Sequence, residues 1–202
     1  MTCIVGIEHN GKVTLAADQL GSSGVSKSIR RDEKLVKIAD QLVLAFTKSY
    51  RQGQLLRWRL PDELPDLELI NSIGAAPDVE RRERWMNTTF IDAVRKVFEK
   101  AGALAKHDQV EEGGVFLAGF GDRLWTIESD NQVASPAAGW DSHGSGWGPA
   151  AGAMSATEGL RMGPEKRLDL AVRAACEVVP SCGLGPDETV PMISTKGVKG
   201  SA

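Results

Sequence analysis

Two short apolar runs meet at Asn10-Gly11: Cys3-Ile-Val-Gly-Ile-Glu8 ahead of the turn and Lys12-Val-Thr-Leu-Ala-Ala17 behind it. An Asn-Gly pair between such runs is the strongest short-range signal of a β-hairpin, because both residues accept the positive φ of a tight turn. The hairpin fixes neighbours as well as strands. With a two-residue loop Asp18 lies opposite Cys3; with a three-residue loop and a bulge it lies opposite Thr2. Either register returns Asp18 to the start of the chain.

The same punctuation recurs. A polar, Gly/Ser-rich loop from Gly21 to Ser28 leads to a second expected hairpin, Leu35 to Ala39 and Gln41 to Phe46, with Lys34 at its mouth. A third spans Gly114 to Phe120 and Arg123 to Glu128 around Gly121-Asp122, with a further strand at Asn131 to Ala134. Helical spacing appears at Tyr50 to Trp58, and from Arg84 to about Ala103, where Trp85, Met86, Phe90, Val94, Val97 and Phe98 recur on one face. The segment between them, cut by Pro61, Pro65 and Pro77, reads as a surface excursion. Gly144-Ser145-Gly146 opens an Ala-rich helix over 150–160. A second helix runs over 165–179 with Leu168, Ala171, Ala175 and Val178 on one face, and a last strand lies within 188–194. Hairpins flanked by two groups of helices predict a layered α+β fold, with helices covering both faces of antiparallel sheet.

At 202 residues and 42% hydrophobic, the chain can bury one sizeable core and reads as a single domain over 1–202. Its 24 Lys and Arg against 27 Asp and Glu form no long run of one sign, so neither nucleic acid nor a membrane surface is an expected partner. Cys3, Cys176 and Cys182 follow no disulfide framework and have no metal-ligand spacing with the three histidines, which points to a reducing compartment and no metal. No signal core and no membrane-length apolar run is visible, and a cytoplasmic protein is expected.

Thr2 raises the chemical question. As a penultimate residue it is small enough for removal of Met1, which would free an α-amine on the same residue as a hydroxyl. A threonine hydroxyl is a weak nucleophile and needs a base; an α-amine, with a reference pKa of about 7.7–8.0, can be that base. A nearby buried cation would disfavour protonation of the amine, and a carboxylate paired to it would hold it in place. The site therefore calls for one Lys and one Asp near residue 2. Asp18 and Lys34 are the candidates, although either residue alone reads first as a strand end or a solvated charge.

Together these residues resemble the N-terminal-nucleophile hydrolases of the proteasome β-subunit and HslV type. The resemblance lies in Thr2-Cys-Ile-Val-Gly-Ile, Leu15-Ala-Ala-Asp18, Lys34 with Lys37-Ile38, Leu42 to Ala45, Ser49-Tyr-Arg-Gln-Gly53, and Gly144-Ser-Gly146 before a helix. It implies a four-layer αββα sandwich, a Thr2 hydroxyl that attacks a peptide carbonyl to give an acyl-enzyme, and Ser145 near the Thr2 amine. Two positions depart from the pattern. Lys48 stands where the family usually has a glycine whose N–H helps hold the oxyanion; its ammonium would bias cleavage toward acidic side chains. Glu177-Val-Val-Pro-Ser181-Cys-Gly183 is one residue longer than the proteasomal pattern and has Glu for Asp, so Glu177, Ser181 and, on the HslV pattern, Asp187 are supporting candidates.

Other residues weigh less. Phe46 is a candidate pocket floor or a core residue, and Cys3 reads as packing. His143 precedes the Gly-Ser-Gly stretch and could approach the site, while Trp140 and Trp147 could line a contact between subunits. The function implied is a threonine-type endopeptidase without a cofactor, enclosed in a homo-oligomeric ring, acting on peptides or unfolded proteins with an ATP-driven unfoldase. Two alternatives stand beside it: a catalytically silent assembly subunit, and a hydrolase of the same fold acting on a small amide.

Overall fold

The Asn10-Gly11 turn forms with φ of 46° and 70° in a computed structural model, which describes residues 2–23, 25–107 and 110–198. It joins β1 (Ile4–His9) to β2 (Lys12–Ala17), with Ile4 opposite Ala17. That is the two-residue loop, and Asp18 accordingly faces Cys3, donating its N–H to the Cys3 carbonyl at 3.0 Å.

The expected loop at 21–28 is instead a hairpin, β3 (Leu20–Ser23) and β4 (Ser26–Ile29). All of β4 is exposed, so neither strand shows the apolar alternation that marks a half-buried strand. The second expected hairpin is present as β5 (Leu35–Ala39) and β6 (Leu42–Phe46).

Helix α1 (Tyr50–Trp58) follows as expected, capped by the Ser49 side chain. The proline-rich stretch is not a surface excursion. It forms α2 (Leu60–Glu63) and α3 (Leu67–Ala75), and it runs into α4 (Val79–Trp85). Pro65 and Pro77 each precede an aspartate N-cap, so they mark helix starts rather than a break in structure. Ile70 and Ile73 are buried on the sheet, and full burial of one such side chain contributes about 1.5–3 kcal/mol.

The long amphipathic helix begins five residues earlier than expected and carries a π-helical turn (Met86–Phe90) before α5 (Ile91–Lys100). The six apolar residues of its expected face are all buried.

Beyond it lie β7 (Ala105–His107) and β8 (Val110–Glu112), then β9 (Phe116–Phe120), β10 (Arg123–Ile127) and the short β11 (Val133–Ala134). An unexpected strand, β12 (Trp140–His143), precedes α6 (Trp147–Ala156). Helix α7 (Pro164–Val178) and β13 (Met192–Ser194) complete the described order. On α7, Leu168, Ala171, Val172 and Ala175 are buried but the terminal Val178 is exposed.

Two antiparallel sheets result, in strand orders β12-β1-β2-β13 and β11-β10-β9-β6-β5. Ile4, Val13, Leu15, Leu35, Val43 and Leu117 pack between them. Helices α1 to α5 cover the outer face of the five-stranded sheet, around Phe90, Phe116 and Phe120. Helices α6 and α7 cover the other outer face, through Met154, Leu168, Val172 and Ala175. The molecule is thus an α+β sandwich of four layers, helix, sheet, sheet, helix. No helix of the described residues is long and apolar enough to cross a membrane.

Candidate active site

Thr2 is buried at the leading end of β1. The pairing of β1 with β12 sets Ile4 opposite His143, and its continuation brings Thr2 to the Gly144-Ser145-Gly146 turn. Two contacts close it: the Gly146 N–H donates to the Thr2 carbonyl at 3.1 Å, and the Thr2 N–H donates to Ser145 Oγ at 3.2 Å. Gly144 has φ 94°, and a Cβ there would run into the Thr2 carbonyl. The glycine is needed on both counts, for the left-handed backbone and for the close approach. Met1 lies outside the described residues.

Asp18 and Lys34 meet beneath this strand end. Lys34 Nζ donates to Asp18 Oδ1 at 2.6 Å and to the Leu20 carbonyl at 2.7 Å, and both charged side chains are almost wholly out of solvent. An ammonium has three N–H donors, so one remains beyond these two acceptors. Asp18 also gathers backbone donors: Oδ1 accepts from the Cys3 N–H at 2.9 Å, and Oδ2 accepts from Leu20 at 3.1 Å and Gly183 at 3.2 Å. Such a carboxylate anchors four pieces of chain at once: β1, the turn into β3, Lys34 and the 181–185 segment. That last segment is stitched on further by Gln19 N–H to the Gly183 carbonyl at 2.8 Å and Gly185 N–H to Gln19 Oε1 at 2.6 Å.

Ser181 reaches the site, with its Oγ 2.8 Å from Ser145 Oγ, so hydroxyls run in a line from the Thr2 nitrogen through Ser145 to Ser181. The other two C-terminal candidates are not part of that line. Glu177 is exposed near the end of α7, on the wall of a separate hollow with Arg173 and Cys176. Asp187 is exposed and closes its own turn, accepting the Thr189 N–H at 3.3 Å.

Lys48 has φ 60°, the left-handed region that favours glycine, within a three-residue turn closed by Ser49 N–H to the Thr47 carbonyl at 2.7 Å. Its own N–H makes no hydrogen bond among the described residues. The residue lines a cleft of about 550 Å³ shared with Thr47, Asp141, His143, Ser145 and Trp147. Phe46 does not line that cleft. It packs in the core beneath α1, where a Cβ on Gly53 would meet its ring, and it borders a smaller hollow with Asp32 and Trp58. Tyr50 stands edge-on to it, with the Arg30 guanidinium 4.0 Å over the tyrosine ring.

The cysteines are not poised to react. Burial pushes the Cys3 thiol far up, and burial with the nearby Asp18 charge raises Cys176 to about 12 and Cys182 to about 11. A thiol that stays protonated is a poor nucleophile. Among the described residues no cluster suited to a metal ion occurs. Trp140 packs partly buried against the core under α6 and α7, whereas Trp147 is 60% exposed at the cleft.

No protein-family model and no curated protein matches the chain. Solved structures do. BPH of Thiobacillus denitrificans superimposes with a TM-score of 0.72 at 18% identity, over 98% of this chain and 99% of its own. The same protein in complex with epoxomicin gives 0.71 at 18% identity, over 96% and 98%. Eukaryotic HslV from Trypanosoma brucei gives 0.64 at 19% identity, over 95% and 98%. The chain has the HslV/proteasome-type fold.

In this HslV-type sandwich Thr2, Asp18, Lys34 and Ser145, expected near one another from the first hairpin and from the resemblance, do lie together. The Gly183 N–H was not foreseeable, since a backbone donor leaves no mark in sequence. The Asp141–His143 pair, Nε2 to Oδ2 at 3.0 Å, was half legible: His143 was noted, but β12, which aligns the two on one face, was not.

Proposed function

We propose that the protein is a threonine-type endopeptidase in which Thr2, exposed by removal of Met1, is the nucleophile. The observation that carries this reading is the convergence on one strand end of Ser145 Oγ at the Thr2 nitrogen and the buried Lys34–Asp18 pair bound to the next residue, Cys3. A structural strand end needs neither a buried ammonium nor a hydroxyl on its first nitrogen.

In this reading the Thr2 hydroxyl attacks the scissile carbonyl while its proton passes to the free α-amine, with Ser145 and Ser181 holding that amine in place. The carbonyl oxygen becomes an oxyanion, for which the unpaired Lys48 N–H at the cleft is a candidate donor. Collapse of the tetrahedral adduct expels the amine product, which takes up the proton, and leaves an ester on Thr2. Water, deprotonated by the same α-amine, then releases the acid product and restores the hydroxyl. Lys34 acts by its charge, which disfavours a protonated amine between turnovers; Asp18 keeps Lys34 in position.

Enclosure in a homo-oligomeric ring, an ATP-driven unfoldase partner and a cytoplasmic location belong to the same reading and rest on the resemblance to HslV. Intact mass of natively expressed protein tests the first requirement: the measured mass should be lower by one methionine residue, and complete retention of Met1 would sink the mechanism. The purified chain should cleave a fluorogenic peptide panel, and Thr2→Ala should not. Epoxomicin should modify Thr2 in the wild type alone. Turnover of small amides without turnover of peptides would transfer the reading to an amidohydrolase, and absence of both with an intact ring would leave an assembly subunit.

A further inference from the structure

Two basic residues line the 550 Å³ cleft, Lys48 from the turn after β6 and His143 from the end of β12. The histidine is held by a built arrangement. Its Nε2 bonds Asp141 Oδ2 at 3.0 Å; the same oxygen accepts from Thr126 Oγ at 2.5 Å, and Oδ1 accepts from the Ser142 N–H at 2.8 Å. Three donors therefore occupy the carboxylate, whose charge is matched to His143. The imidazole Nδ1 has no partner among the described residues, and the ring keeps 21% of its exposure. With His143 protonated and Asp141 ionised, the cleft keeps one net positive charge from Lys48 and two N–H donors, the ammonium and Nδ1.

Position matters as much as charge. His143 pairs with Ile4, two residues along β1 from Thr2, and lines the same cleft as Ser145, whose Oγ meets the Thr2 nitrogen. A peptide bound with its scissile carbonyl at Thr2 would thus bring a side chain one or two residues from the scissile bond into reach of His143. Trp147, exposed on the same wall, supplies an apolar plane for the methylenes of a long side chain.

We propose that Lys48 and His143 form a carboxylate-binding subsite that selects substrates with Asp or Glu within two residues of the scissile bond, with Asp141 as the residue that positions His143. The subsite rests on the peptidase reading for its place beside a scissile bond, and its test separates the two. A matched peptide series carries Glu or Gln in turn at each of the two positions on either side of one scissile bond. In the wild type, one position should show a Glu-over-Gln advantage of about 10-fold in kcat/KM, the scale of a charge-assisted hydrogen bond. Lys48→Met and His143→Gln should each bring that ratio toward one, and Asp141→Asn should weaken it through KM rather than kcat. The same peptides are titrated calorimetrically against Thr2→Ala, which needs no turnover. Tighter binding of the Glu peptide without cleavage by the wild type supports the subsite and overturns the peptidase. Equal handling of Glu and Gln at every position in both assays, a preference that survives both Lys48→Met and His143→Gln, or no binding of either peptide overturns the subsite.

Discussion

Lys34 Nζ lies 2.6 Å from Asp18 Oδ1, with both side chains sealed from solvent. Removing one partner of a buried pair strands the other charge, at a cost of about 3–5 kcal/mol. Lys34→Met should therefore lower the melting temperature by roughly 10 °C for a chain of this size. Adding Asp18→Leu should not restore it, because the N–H groups of Cys3, Leu20 and Gly183 would then lose their acceptor. Recovery of the melting temperature in the double variant would show that the pair acts alone and not as the hub of a backbone network.

Ser145 Oγ touches both the Thr2 nitrogen and Ser181 Oγ. Ser145→Ala removes the link and should lower kcat by about 10²-fold, at the lower end of what positioned proton transfer supplies. Ser181→Ala, one step further out, should cost less. Steady-state kinetics on one peptide decides the order; an equal or larger loss at Ser181 would reverse the direction assigned to the line.

The parts of this site that could be read in advance are those whose signals are local. Asn10-Gly11 marked a hairpin whose two possible registers both return Asp18 to the start of the chain, and Gly144-Ser145-Gly146 marked a turn into a helix. What escaped reading lacked a local signal. Strand β12 has the sequence Trp-Asp-Ser-His, polar at three of four positions, and only its pairing with β1 makes it a strand. Strand β4 is wholly exposed and has no buried face to impose a period. At Pro65 and Pro77 the signal was present but ambiguous, since proline before an aspartate marks a helix start as readily as a loop. Phe46 was misleading in another way: an aromatic in the strand that leads to Lys48 suits a pocket floor, yet the missing side chain of Gly53 drew it under α1.

Lys48 carries a left-handed backbone that costs a residue with a Cβ about 1–2 kcal/mol. Lys48→Gly removes that strain while adding backbone entropy to the unfolded chain, worth roughly 0.5–1 kcal/mol in the opposite direction. A net gain of about 0.5 kcal/mol is expected, and Lys48→Val should destabilise, because a β-branched residue resists positive φ. Urea denaturation of the three proteins provides the comparison. Equal stability of the glycine and valine variants would mean that the turn relaxes freely.

Cys182 sits beside Ser145, with Sγ to Oγ at 3.9 Å, and its thiol is raised to about 11, chiefly by burial. At pH 7.4 very little of it is thiolate. Native protein should therefore react with iodoacetamide far more slowly than urea-unfolded protein at all three cysteines, with Cys3 the slowest. Rapid loss of activity on alkylation of the native chain, prevented by Cys182→Ala, would instead mark the thiol as an accessible neighbour of the nucleophile.

The Asp141–His143 pair gives stability a defined dependence on pH. Burial alone would lower the His143 pKa, but the hydrogen bond and charge of Asp141, with Glu128 beyond it, outweigh burial and raise it above 6.5. For Asp141, burial acts to raise the carboxyl, while the bonds from His143 and Thr126 prevail and hold it below its usual 3.8. The charged groups around the ring are these two carboxylates and Lys48 across the cleft. A raised histidine binds its proton more tightly when folded, so its contribution is complete below about 6.5 and is lost as pH rises through the native value. The depressed Asp141 contributes above its unfolded pKa and loses that contribution as pH falls through the native one. The pair therefore contributes most between about pH 4 and 6.5. Urea denaturation of wild type and His143→Gln should show a larger stability difference at pH 5.5 than at pH 8.5. A difference that is constant across that interval would mean that the bond to Asp141 is made equally well by the neutral imidazole.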